Sequence, residues 1–274
     1  MRSINRKKRN LIIVFDMRRL ACLAVLCVCC SCSVKEDRLP CPSWLQLFVS
    51  GCSEQGKELS VSLWDNDRIF AERIAISDYP DYYEREVPKG YHTLSAYCGI
   101  RRAMVERSRF TIPLGEDCDS VFVYSHSLPC LEEFTRDTVK LLKKFTRVTL
   151  KINMPDQEDC PFLYTVRSQV CGMDLHDYSP VYGEFRKVLS VEGNEARFCL
   201  PRQDPNMTHL LDVLVETQGK TLHTIELGRI MDDMGYSWSR RDLEDITVDV
   251  DYVKAEITIR QEGWDAGGSY DIVL

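Results

Sequence analysis

Period-two alternation, broken repeatedly by Gly, Pro or Asn/Asp turns, constrains this chain more than any other feature. Leu45, Leu47 and Val49 share one face of a strand, as do Leu59, Val61 and Leu63. Arg68–Ile76, Tyr91–Cys98, Phe110–Ile112 and Val121–Tyr124 continue the pattern, with Glu84 to Gly90 read as a turn. After a mixed polar stretch from Pro129 to Thr138 the style repeats. Val148–Ile152, Leu163–Val170, Phe185–Val188 and Ala196–Leu200 come first, followed by Leu210–Glu216 and Lys220–Leu227 around Thr217-Gln218-Gly219, a hairpin signal. Ile246–Val250 and Ala255–Ile259 alternate most cleanly, and Trp264 to Leu274 reads as a glycine turn into a last strand. Only Leu227–Leu243 leaves room for a helix. The expectation is an all-β chain of two antiparallel sandwiches, divided at the polar stretch into residues 41–136 and 137–274.

The first 31 residues follow a different logic. They carry seven Lys/Arg and one Asp around two short apolar runs, the second being Leu20–Cys30. That run is too short to span a bilayer and suits the core of a signal peptide, with Met17 a natural start. The small residue Ser31 precedes Cys32, a junction that resembles the lipobox of bacterial lipoproteins. Cys32 is the expected acylation site and Cys30 the alternative, so residues 1–31 are signal and 32–40 a lipidated tether to the outer membrane. Lys35-Glu36-Asp37 resembles the surface-export signals of Bacteroidetes lipoproteins. Beyond residue 31 the chain holds 28 basic against 41 acidic residues, which disfavours nucleic acid as a partner. Eight cysteines follow Cys32, and export makes either disulfides or structural thiols the natural reading.

Reactive constellations are scarce. Asp65-Asn66-Asp67 fits a strand-ending turn better than a cation site. Asp232-Asp233 and Glu244-Asp245 could pair as acid and base but read as solvated acidic loops, and His176-Asp177 is a His beside an acid with no nucleophile linked to it. No catalytic motif, metal site or cofactor is expected, and the chain reads as a non-enzyme. Trp44, Trp64, Trp238 and Trp264 are candidate glycan contacts, with Trp238, in an irregular polar segment, the foremost.

The run Cys-Ser-Val-Lys-Glu-Asp-Arg-Leu-Pro-Cys-Pro over residues 32–42 places a second cysteine just before the first strand. Together with the turn-to-strand Val87–Leu94 and the segment from Ile257 to Trp264, it resembles the fimbrial anchor lipoproteins of Bacteroidales, the fimbrillin-associated anchor subunits of type V fimbriae. The resemblance implies two tandem transthyretin-like Greek-key sandwiches. It also implies a structural role: a surface-exposed, palmitate-bearing lipoprotein that holds and terminates a fimbria. Its partners would be pilin or accessory subunits, met by strand-edge pairing. Ile272–Leu274 with Gly267-Gly268, and the groove beside Leu45–Val49, are the two candidate docking places, though each segment taken alone reads more readily as an ordinary core strand. A stand-alone adhesin or glycan-binding lipoprotein is the alternative.

Overall fold

A computed structural model describes residues 41–155, 160–254, 256–261 and 264–271, and is all-β apart from short helical segments. The strands in order are β1 (Ser43–Phe48), β2 (Glu58–Trp64), β3 (Arg68–Ala75), β4 (Tyr83–Val87) and β5 (Gly90–Cys98). Then come β6 (Met104–Glu106), β7 (Arg109–Thr111), β8 (Phe122–Cys130), β9 (Phe134–Thr138) and β10 (Leu142–Lys143). The remainder are β11 (Phe145–Asn153), β12 (Leu163–Asp174), β13 (Pro180–Leu189), β14 (Glu195–Pro201) and β15 (Asp212–Thr217). Last are β16 (Lys220–Ile225), helix α1 (Leu227–Asp233), β17 (Ile246–Asp251), β18 (Glu256–Gln261) and β19 (Trp264–Asp271).

Two pairs of sheets enclose two cores. The first core lies between a sheet of order β4-β1-β9 and one of order β10-β8-β5-β2-β3. The second lies between β14-β11-β17-β18-β19 and β16-β15-β12-β7-β6, with β13 on the other side of β12. Alternation does the sorting: Leu45 and Leu47 are fully buried while Trp44 and Phe48 face outward, and Ile246, Val248 and Val250 repeat the pattern in β17. Each core also has a strand held between an antiparallel and a parallel neighbour. β1 runs antiparallel to β4 and parallel to β9; β11 runs antiparallel to β14 and parallel to β17. Parallel pairing needs a long crossover, so each parallel neighbour comes from late in its half.

The chain does not pass from one core to the other at a single point. The β6–β7 hairpin joins β12, and Phe110, Ile112, Val121 and Val123 belong to the second core, whereas Val139 belongs to the first. Phe122 packs against both. β7 reaches β12 at Gly172, where an added Cβ would lie 2.0 Å from the Phe110 carbonyl oxygen, so only glycine admits that approach.

Three sequence readings are corrected. Glu84 to Val87 is a strand rather than a turn, because Tyr83 and Val87 reach the first core. Phe134–Thr138 within the polar stretch is β9. Trp264–Asp271 is a strand, with Gly268 paired to Ile259, instead of a glycine turn. The β15–β16 hairpin forms as expected, with φ of 47° at Gln218 and 75° at Gly219. Gly219→Ala should lower stability by about 1 kcal/mol, seen as a lower urea midpoint at unchanged slope.

Candidate functional site

Cys32 and its alternative Cys30 lie outside the described residues. The described chain begins at Cys41, whose thiol is exposed, two residues before β1. No helix among the described residues is long and apolar enough to cross a membrane.

Of the two candidate docking places, Leu45–Val49 is the ordinary core segment that its sequence also suggested. β1 is bonded on both sides, and Leu45, Leu47 and Val49 are fully buried, so no ladder edge is free there. Ile272–Leu274 lie outside the described residues, but β19 immediately before them is an edge strand whose backbone, among the described residues, pairs only with β18. β13 is another edge, as are the shorter strands β3, β4, β6, β9, β10, β14 and β16 at the ends of their sheets. Ten residues long, β13 forms a ladder, among the described residues, only with β12, and the Arg186 carbonyl accepts the Gly115 amide at 3.0 Å. Val181, Phe185 and Leu189 point into the core, while Tyr182 and Val188 are about half exposed among Glu184, Arg186 and Lys187. Charged residues on an edge oppose indiscriminate pairing, yet leave the backbone donors and acceptors available.

The outer face of β4-β1-β9 carries aromatic groups at both ends. Trp44 stands opposite Phe134 in the β1–β9 register, and Phe48 meets Tyr82 edge-on with ring centroids 6.0 Å apart; all four are between 37% and 49% exposed. Between them a polar rung crosses the sheet. Gln46 Nε2 donates to Glu84 Oε2 at 2.7 Å, and Arg136 Nε donates to Gln46 Oε1 at 2.9 Å. Sequence reasoning found Trp44 alone. Phe48 has the same parity in β1, which was a usable signal, whereas Phe134 joins them only through a parallel pairing between distant segments.

The remaining candidates serve the fold. Trp238, expected to contact ligand, is 1% exposed in the second core, edge-on to Tyr236 at 4.9 Å; the turn after α1 folds it inward. Trp64 Nε1 donates to Ser62 Oγ at 2.9 Å, and its ring meets His176 edge-on at 5.3 Å. The side chain of Trp264 lies outside the described residues. Asp65 and Asp67 close the β2–β3 turn through the Asp65 amide and Asp67 carbonyl at 3.0 Å. Asp232 accepts the Thr208 hydroxyl, Glu244 pairs with Arg240, and Asp245 pairs with Lys143 and Arg147, so the acids do not converge. Burial holds the His176 imidazole below its usual pKa, and the Asp177 carboxylate accepts the Ser179 amide at 2.9 Å. Among the described residues no group of three or more His, Cys, Asp or Glu is arranged to hold a metal ion. All eight cysteines beyond the tether are free thiols.

No family model matches the chain, and no curated protein matches it. Solved structures do. The chain resembles a candidate polysaccharide-binding protein from Bacteroides thetaiotaomicron with a TM-score of 0.60 at 11% identity, over 85% of this chain and 98% of the other. It resembles a candidate adhesin from Bacteroides ovatus at 0.59 and 11%, over 88% and 99%. It also resembles the fimbrial anchor protein Mfa2 from Porphyromonas gingivalis at 0.54 and 13%, over 82% and 98%. At these identities the likeness is one of fold, and it spans nearly the whole length of each neighbour. The family resemblance read from residues 32–42 is thereby met at the level of architecture.

Proposed function

We propose that this protein is a fimbrial anchor subunit, held in the outer membrane by acyl chains on Cys32 and joined to pilin or accessory subunits by strand addition. The observation that carries the reading is the set of one-sided edge strands on the two-sandwich body, with β13 and β19 among the longest of them. An incoming strand would satisfy the unpaired backbone groups of such an edge, while alternate side chains set its register. The fold shared with the fimbrial anchor protein Mfa2 supports it, as does the junction of basic segment, apolar core and Ser31-Cys32. Two or three acyl chains give stable anchorage where one would exchange. The body itself carries no reactive task in this reading.

The test is genetic and biochemical together. Cells lacking the gene, or carrying Cys32→Ala, should release fimbriae into the medium, and the intact protein should yield an acylated amino-terminal peptide by mass spectrometry. Fibres of normal length that stay attached to the deletion strain would sink the anchor role. A second reading, as a glycan-binding surface adhesin, is favoured by one observation: the exposed ring pairs Trp44–Phe134 and Phe48–Tyr82 flanking a polar rung. The same deletion experiment separates the two, since an adhesin leaves fibre anchorage untouched.

A further inference from the structure

A cavity of about 390 Å³ opens where β8, the residue after β10, the β12–β13 turn and the loop after α1 meet. Three cations line it: Lys144, Arg202 and Arg241. On a chain with a net charge of −7 this is an unexpected gathering, and it lacks the usual compensation. Among the described residues none of the three makes an ion pair with a carboxylate. The acid whose charge reaches Lys144 is Asp242, and its Oδ1 is taken by the Lys143 amide at 2.7 Å. Lys144 is 1% exposed; its ammonium donates to the Arg241 carbonyl at 2.7 Å and sits 4.0 Å from the Tyr178 ring centroid. Burying the Lys144 ammonium beside the half-buried Arg202 is costly unless something negative joins them. Burial lowers the pKa of both Lys144 and Arg202.

A second feature points the same way. Ser125 Oγ, on the cavity wall, is buried and has no hydrogen-bond partner among the described residues. Native proteins rarely leave such an oxygen unsatisfied. Beside it the Tyr178 hydroxyl accepts the Ser125 amide at 3.0 Å, and Tyr124 donates to both Asp137 oxygens at 3.1 and 3.0 Å, which fixes both rings as walls.

We infer that this cavity binds a sugar acid, its carboxylate among Lys144, Arg202 and Arg241, its hydroxyls on Ser125 and its ring against Tyr124 and Tyr178. A bare oxyanion would answer the cations but leave most of a cavity this size, and the two rings, without contact. Guanidinium–carboxylate bonds provide the affinity, and the serine and tyrosines select the body that carries the charge.

Isothermal titration of the full chain with sodium glucuronate at constant ionic strength tests this, with glucose and sodium sulfate as comparison ligands. Glucuronate should saturate one site below about 20 mM, and glucose and sulfate should each bind at least about tenfold more weakly. Arg202→Gln should weaken glucuronate at least about tenfold. Arg241→Gln, at an exposed side chain that leaves its backbone acceptor in place, should act in the same direction if the first variant fails to fold. The inference is overturned if glucuronate shows no saturable binding, if a folded variant binds it undiminished, or if sulfate binds as tightly.

Discussion

Asp119→Ala is expected to cost about 3–4 kcal/mol of stability, among the largest effects of any single substitution outside the hydrophobic cores. Asp119 is 6% exposed, and its Oδ2 accepts the backbone amides of Arg101, Arg102 and Ala103 at 2.8, 2.8 and 2.9 Å. That loop carries the chain from β5 in the first pair of sheets to β6 in the second, so the carboxylate pins the crossing between the two cores. It begins at Gly99, with φ of 89°, where an added Cβ would lie 2.0 Å from the Ser120 carbonyl oxygen. The geometry is closed from both sides. Removing the acceptor strands three amides in a space that the loop cannot leave without opening the crossing, at about 1 kcal/mol or more for each. Asp119→Asn keeps one oxygen and should lose roughly half as much, because a neutral acceptor binds amides less strongly than a carboxylate. Calorimetry should record a fall of about 8–12 °C in Tm for the alanine variant. A loss under about 1 kcal/mol would mean that the loop is held by something other than this carboxylate.

How much of this was readable beforehand depends on whether the cause was local. β1, β17 and β18 were visible because their alternation is complete in the segment itself, as in Ile246-Thr-Val-Asp-Val250. β4 was hidden by its neighbours. Tyr-Glu-Arg-Glu-Val does alternate, but Pro88-Lys89-Gly90 beside it dominated the reading. β9 had little signal to find. Phe-Thr-Arg-Asp-Thr contains one apolar residue, which is half exposed, and the strand forms because β1, about ninety residues earlier, offers it a parallel edge. Trp238 misled for the same reason, since its polar sequence neighbours say nothing of the core onto which the turn folds it. The cationic cavity is the extreme case: Lys144, Arg202 and Arg241 come from three separate elements, and no spacing rule unites them.

In the presence of a reductant, the protein should lose several kcal/mol of stability between pH 8.5 and 10, as a consequence of its buried thiols. Burial pushes Cys52, Cys98 and Cys199 up to about 11, and raises Cys118, Cys130 and Cys171 as well. An unfolded chain ionises its thiols near 9, so above that pH unfolding releases protons that the folded state retains. Stability therefore falls with rising pH, by up to about 1.4 kcal/mol per pH unit for each such thiol. The contribution is whole below about pH 8.5 and disappears as the pH passes through the folded-state value. Lys144 opposes the trend. Burial lowers it to about 8, so its penalty is relieved as the pH climbs, which offsets about one thiol. With six thiols against one lysine the sign is not in doubt. Measurement should stop at pH 10, where tyrosines such as Tyr83, raised to about 12, begin to act in the same direction as the thiols. Urea midpoints at pH 7, 8.5 and 10 should step downward, and Cys52→Ala should flatten the slope while lowering the value at pH 7. A midpoint independent of pH would show that these sulfurs are not held protonated by burial in the folded state.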